Sequence, residues 1–396
     1  MRLVLYTGKG GVGKTTTAAA TAAAAAERGV RTLILSSDAA HSLGDVLDAP
    51  LASVPVALGP KLDAVEIDAR AEIGRHYGTI RDYLVELFRY QGIDEVVAEE
   101  LALLPGAEEV AALLAVEQFS RSADYDFVVV DCAPTGSTLR LISLPDMLTG
   151  ALRMAPSLIR LLSTVVSPVV QAAVRAPIPQ RPVFRQLEQL VEERAVQLRA
   201  RLGSRDTSVR IVATPERMVI DEARRAFMEI SLFGLSCDAV VMNRLLPDSV
   251  ASEEFFQESF EKQGKRRDEL AAAFAPVALL EAPLQRDEVI GLEALAAHGA
   301  QIFADQEPNS LVSEAPHIRF TRTRDGHRVH LPLPGASPEK LDVAVVEDEL
   351  IVRAGARRRA IPLPPRIARL PLESARLDEG DLVVSFRAAV SGSEPD

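Results

Sequence analysis

Apolar residues fall into two regimes along this chain. Up to about residue 305, short continuous apolar runs alternate with longer stretches of helical spacing, and beyond about residue 316 short alternating strands take over. The first run, Leu3-Val4-Leu5-Tyr6-Thr7, enters a glycine-rich loop that opens a long alanine-rich helix ending near Glu27-Arg28-Gly29. The next, Arg31-Thr32-Leu33-Ile34-Leu35-Ser36-Ser37-Asp38, reads as a strand with a carboxylate at its C-terminal end. Strand, helix, strand predicts a parallel βαβ unit. Further strands are predicted over 62–67, 126–131, 209–214, 239–245 and 277–280, with helices over 183–202 and 292–303 and another opened by Pro215-Glu216-Arg217-Met218. Residues 69–122 read as several helices broken near Gly92 and Pro105-Gly106, an insertion too long for a simple crossover. The expectation is an α/β fold: a mostly parallel, doubly wound sheet with a helical insertion.

The last eighty residues read differently. Gln306 to Pro316 is polar and carries prolines, as linkers do. Strands are then predicted over 318–322, 328–335, 341–345, 349–353, 358–364 and 381–386, with turns every eight to twelve residues, which argues a small all-β sandwich. The expected domains are 1–305, a linker at 306–315, a sandwich over 316–390 and a disordered tail at 391–396.

With 396 residues and 47% apolar content, the chain can bury a large core and a smaller one. A formal charge of −12 speaks against nucleic acid or an anionic membrane as primary partner. Cys132 and Cys237 stand alone, without a CxxC pattern, so neither a disulfide framework nor a thiolate zinc site is expected. A reducing cytoplasm fits this usage. The opening residues read as a strand and not as a signal sequence, and no run of eighteen apolar residues escapes charge or proline, so no membrane insertion is expected.

The loop carries the most specific chemistry. Gly8, Gly13, Lys14 and Thr15 satisfy the phosphate-loop pattern G-x-x-x-x-G-K-[ST], between the strand and the helix that the pattern requires. Glycines let backbone N–H groups converge on phosphate oxygens at a helix N-terminus, where the dipole also favours anions. The expected nucleotide contacts are therefore Gly8, Gly10, Gly11, Val12, Gly13, Lys14, Thr15 and Thr16, with Lys14 on the β- and γ-phosphates and the Thr15 hydroxyl on Mg²⁺. An ordinary glycine-rich turn is the plainer alternative. A second lysine, Lys9, follows the first glycine, and two ammonium groups so close call for a polyanion between them. The strand Asp126-Phe127-Val128-Val129-Val130-Asp131 ends in a carboxylate suited to holding Mg²⁺ through water. Asn243 ends another strand, and its amide offers both a donor and an acceptor, as an adenine edge needs.

The string Lys9-Gly10-Gly11-Val12-Gly13-Lys14-Thr15-Thr16 resembles the deviant phosphate loop of the ArsA-type ATPases, which include the arsenite-pump and tail-anchored-protein-targeting enzymes. The resemblance implies a homodimer in which Lys9 reaches the partner's nucleotide. Asp38-Ala39-Ala40-His41-Ser42-Leu43-Gly44-Asp45 is similar to the family's first switch, with alanine at 39 in place of proline. It implies that Asp38 activates the attacking water; a capping aspartate after a strand is the alternative. Asp131-Cys132-Ala133-Pro134-Thr135-Gly136-Ser137-Thr138 is similar to the second switch, with Cys132 for threonine and Ser137 for histidine. Glu216 and Asn243 match family positions that contact the nucleotide. This resemblance spans about residues 1–305; beyond it, LPLPG, DELIVRAG, RRAIPLP and ARLDEGDLVVSF resemble the α-crystallin domain of small heat-shock proteins, without the usual I-x-I tail.

Between Pro145 and Pro177, Leu148, Leu152, Leu162 and further apolar residues recur at helical spacing, while Leu158, Leu161 and Val165 make the adjacent stripe apolar too. Such a face fits a helix buried among neighbours or a surface for an apolar client helix. The family resemblance favours the client surface, within the helical region expected at about 69–122 and 145–203. The reading is an ATP- and Mg²⁺-dependent homodimeric ATPase that grips and releases apolar polypeptide segments. Two rivals stand beside it: the ATPase subunit of a metalloid pump, and an ATP-independent holdase acting through the sandwich.

Overall fold

Alanine decides how the first helix packs. In the computed structural model, which describes residues 1–38, 42–90, 92–102, 107–133, 196–314, 317–355, 357–378 and 380–387, the first apolar run forms β1 (Arg2–Thr7) and the alanine-rich stretch forms α1 (Lys14–Glu27). There follow β2 (Thr32–Ser36), α2 (Ser42–Leu47), β3 (Val56–Gly59), β4 (Leu62–Glu66), α3 (Ala69–Tyr90), α4 (Glu95–Ala102), α5 (Ala107–Ser120), β5 (Phe127–Asp131) and α6 (Val196–Leu202). Then come β6 (Thr207–Ala213), α7 (Arg217–Leu232), β7 (Cys237–Leu245), α8 (Glu254–Phe274), β8 (Ala278–Pro283) and α9 (Leu292–Phe303). The C-terminal part supplies β9 (Arg319–Arg322), β10 (Gly326–Pro332), β11 (Leu341–Val346), β12 (Glu349–Ala354), β13 (Arg357–Pro362), α10 (Pro365–Ala368), β14 (Leu372–Asp378) and β15 (Asp381–Arg387). The region expected to bear the apolar client surface lies outside the described residues. So do the first-switch residues Ala39, Ala40 and His41 and the second switch beyond Ala133.

The chain forms two compact units. One comprises Met1–Thr7, Gly13–Thr207 and Asp287–Ser310; the other comprises Gly8–Val12, Ser208–Arg286 and Leu311–Asp396. In the first, strands lie in the order β3-β4-β2-β5-β1, all parallel except the β3–β4 pair. Leu3, Val4, Leu5, Leu33, Ile34, Leu35, Val128, Val129 and Val130 are fully buried, as expected of parallel strands covered on both faces. Helices α1 and α9 approach closely where Gly299 meets Ala20 and Ala24. A Cβ added to Gly299 would fall 2.3 Å from the Ala20 carbonyl oxygen and 2.7 Å from the Ala24 Cβ.

In the second unit β6, β7 and β8 run parallel. Arg210 on β6 and Asp238 on β7 form a fully buried ion pair at 3.2 Å, with the Ser208 hydroxyl donating to the same carboxylate at 2.7 Å. The stretch read as a linker is tied to this pair: the Val312 N–H donates to the Asp238 carboxylate at 3.2 Å and the Ser313 hydroxyl to its backbone carbonyl at 2.6 Å. The same unit contains two antiparallel sheets, β14-β15-β10-β9 and β11-β12-β13. Val329, Leu331, Leu350, Val352, Ile361, Leu382, Val384 and Phe386 share one buried cluster with Leu232 at the end of α7. Buried Arg359 donates to the Leu232 carbonyl, satisfying one of the acceptors a helix leaves open at its C-terminus. Arg357 pairs with Glu229 at 2.9 Å.

Five elements were not expected. Helices α2 and α10 are only six and four residues long, the short β3 pairs antiparallel at the edge, the residues of β14 are almost all exposed and so carry no alternation, and α8 buries only Leu270 and Phe274. No helix among the described residues is long and apolar enough to cross a membrane. Gly299→Ala should destabilise the protein by roughly 1–3 kcal/mol through overpacking, although alanine is the better helix former by ~1 kcal/mol. Urea denaturation should show a lower midpoint at unchanged slope; a midpoint at or above that of the parent would contradict the close approach of α1 and α9.

Candidate functional site

Within the second unit, the first residues of the phosphate loop lie against strand ends. A Cβ on Gly8 would stand 2.3 Å from the Val212 carbonyl oxygen of β6, so only glycine fits there. Val12 is buried, and its carbonyl accepts a hydrogen bond from Asn243 Nδ2 at 2.9 Å. Asn243 Oδ1 in turn accepts the Arg244 N–H at 2.9 Å. Lys9 is half-buried, while Gly10 and Gly11 are exposed. Glu216 is exposed at the start of α7, where its carboxylate accepts from the Thr214 hydroxyl.

The first unit takes up the chain at Gly13, which adopts a left-handed φ of 90° as the N-cap of α1. The N-cap residue is a glycine, which has no side chain with which to cap the terminus, and the first turn of α1 contains no acidic residue. Lys14 is buried, and Thr15 and Thr16 are half-buried. The Thr15 hydroxyl lies 3.4 Å from that of Ser42, at the start of α2. Strand register sets Ser36 on β2 opposite Asp131 on β5. Two residues on, the Asp38 N–H donates to the Ser36 hydroxyl at 3.2 Å, with Asp38 half-buried.

Asp131 is fully buried, and among the described residues neither carboxylate oxygen has a hydrogen bond of ordinary geometry. Burial pushes its pKa up to about 7; the Thr15 hydroxyl and Lys14 charge pull it down, Asp38 pushes it further up, and the Ser36 hydroxyl pulls it down. Orphaned carboxylate oxygens are what a cation, or water bound to one, would satisfy. One carboxylate among hydroxyls suits a hard ion such as Mg²⁺, which keeps several waters and takes its other ligands from phosphate. Among the described residues, no three His, Cys, Asp or Glu side chains cluster as an all-protein metal cage.

The structure thus brings Lys14, Thr15, Asp38 and Asp131 together in one unit, and Gly8, Val12 and Asn243 together in the other. Leu148, Leu152, Leu158, Leu161, Leu162 and Val165 lie outside the described residues. Sequence reasoning missed Ser36, Ser42 and Thr214 as polar neighbours of these groups. Ser42 stands inside the first-switch string and was open to notice there; Ser36 and Thr214 have no signal beyond being hydroxyls near strand ends.

A family model described as anion-transporting ATPase matches residues 1–304, and one described as an HSP20-like domain found in ArsA matches residues 324–386. A protein of Aquifex aeolicus, named as a candidate arsenical pump-driving ATPase, is 32% identical over 393 residues, covering 97% of this chain and 99% of its own. A similarly named protein of Chlorobaculum tepidum is 33% identical over 374 residues, covering 93% and 92%. An uncharacterised protein of Streptomyces coelicolor is 32% identical over 387 residues, covering 98% and 97%.

Asp131→Asn tests the charge at the centre of the site. Because the folded-state pKa of Asp131 lies above its ordinary value, its cost to stability grows as pH rises from 3.8 to about 7 and is complete at pH 8. At pH 8, without metal or nucleotide, Asp131→Asn should melt higher than the parent. It should also lose most of the further stabilisation that Mg²⁺ with ATP confers on the parent. Thermal shift measures both; a variant melting lower in the ligand-free state would contradict the desolvation argument.

Proposed function

We propose, for a chain that belongs to the anion-transporting ATPase family and carries an HSP20-like domain, that ATP hydrolysis drives a cycle of grip and release on apolar polypeptide segments. The observation that carries the nucleotide half is the run from Gly8 to Thr15: Gly8 and Val12 lie against strand ends, Gly13 is the N-cap of α1, and Lys14 and Thr15 act on the buried Asp131 carboxylate.

The residues divide the work by charge. N–H groups of the loop and the first turn of α1 bind phosphate oxygens, and Lys14 places positive charge where it builds up on the transferred γ-phosphoryl group. Asp38 orients the attacking water, whose oxygen bonds to phosphorus as the bond to the ADP oxygen breaks. Thr15, with Asp131 through water and Ser42 alongside, would hold Mg²⁺, which when bound supplies positive charge to the β- and γ-phosphoryl oxygens. Glu216 and Asn243 contact the nucleoside. Lys9 acts on the partner's nucleotide across a homodimer, so that ATP closes the dimer and hydrolysis reopens it.

The client half rests on the apolar stripes of 145–177 and on the sandwich. In this reading residues 1–305 form the ATPase domain, 306–315 the connection, 316–390 the sandwich and 391–396 a tail, and the protein works in the cytoplasm as a dimer. The names of the Aquifex and Chlorobaculum relatives support instead a part in driving a metalloid pump. Soft metalloid ions favour thiolates. Both Cys132 and Cys237 are buried, and burial pushes the Cys237 thiol well up, away from the thiolate. The grip-and-release reading therefore stands first.

Asp38→Asn should retain ATP binding and lose about a hundredfold or more in turnover, since a positioned acid–base group contributes about that much. Unchanged steady-state hydrolysis would remove Asp38 from the mechanism. Replacing Leu158, Leu161 and Leu162 with serine should leave a folded ATPase of near-normal activity that no longer keeps an apolar helix soluble. A large loss of thermal stability would instead mark a core helix, since buried leucines truncated to alanine each cost about 2–5 kcal/mol.

A further inference from the structure

Asn243 has its side-chain amide engaged before any ligand arrives. It is buried at the end of β7, donates from Nδ2 to the Val12 carbonyl at 2.9 Å, and accepts at Oδ1 from the Arg244 N–H at 2.9 Å. Arg244 is held at a φ of 59°, in the left-handed region, although it bears a side chain. Such a conformation persists where its surroundings over-determine it. One planar amide therefore joins the phosphate loop to a constrained strand end.

The consequence follows from peptide geometry. In a trans peptide the carbonyl and the following N–H point in opposite directions. Anchoring the Val12 carbonyl on Asn243 turns the Gly13 N–H the other way. Phosphate oxygens are bound by N–H groups, and a carbonyl turned among them would repel the anion. An anchor on the Val12 carbonyl thus keeps an acceptor out of the cradle and a donor in it.

We propose that Asn243 is a positioning residue for the phosphate loop, acting through Val12 to orient the Gly13 N–H whatever base the nucleotide carries. The inference rests on reading residues 8–15 as the phosphate site and goes beyond the nucleoside contact assigned to Asn243 above. The two roles are compatible, since the amide keeps a second N–H and a second lone pair for a base edge.

A ligand without a base separates them. Inorganic tripolyphosphate and ATP, each with Mg²⁺, are titrated into the full chain, its Asn243→Asp form and its Asn243→Ala form. Alanine removes the donor to the Val12 carbonyl without adding charge, whereas aspartate also places a negative charge near the polyanion. Both ligands should weaken by the same factor, about tenfold, in Asn243→Ala, as loss of one buried hydrogen bond predicts. Tripolyphosphate affinity at the parent level would confine Asn243 to the base and overturn the proposal, whether or not ATP weakens. Backbone amide exchange over residues 8–13 of the ligand-free full chain gives a second test. It should quicken at least several-fold in both variants while the interior of β7 keeps its protection, and unchanged exchange in the loop would also overturn the proposal. Should the parent bind neither ligand, the phosphate-site reading fails, and the exchange measurement still decides whether Asn243 sets the loop.

Discussion

A carboxylate buried at Asp131, without a well-formed hydrogen bond among the described residues, opposes folding. Three parallel strands fix its place: β5 lies between β1 and β2, and all three are apolar and covered on both faces. Only the strand end is left for polar chemistry, where open α/β sheets bind their ligands. The Lys14 charge and the Thr15 and Ser36 hydroxyls offset part of the desolvation, and Asp38 adds to it. In the proposed reading, a nucleotide arriving with its metal would relieve this charge problem.

The parts of this site that were legible in the sequence are those encoded within a few residues. The phosphate loop is a contiguous string, and Asp38 and Asp131 each end an apolar run, so their places follow from strand direction alone. Asn243 was legible as a strand end but not as a partner of Val12, because no local pattern reports a hydrogen bond between residues 231 positions apart. The same limit hid the tie between Val312 and Asp238, which made 306–315 read as a plain linker. At the other extreme, β14 was missed because it has too little buried surface to impose a period, its pairing with β15 being carried by backbone hydrogen bonds.

Inside the second unit, one helix touches two kinds of chemistry. Glu216 stands at the N-cap position of α7 with its carboxylate on the Thr214 hydroxyl, and the end of α7 is held by Arg359, Arg357 and the sandwich cluster through Leu232. The HSP20-like domain is in this respect part of the body of its unit, anchored by buried groups at β13 and again by the segment bonded to Asp238. Loss of the buried Asp238 partner would leave Arg210 an uncompensated charge, one of the costlier changes a core can suffer.

In the proposed cycle the nucleotide state controls the hold on an apolar segment. The direct measurement is the amount of a leucine-rich helical peptide kept soluble by the full-length protein, followed over time with Mg²⁺ and ATP, for the parent chain and for Asp38→Asn. Asp38→Asn should retain the peptide for as long as ATP is bound, whereas the parent should release it at the rate at which it hydrolyses ATP. Equal retention by both proteins, unchanged between ATP, ADP and no nucleotide, would contradict that cycle.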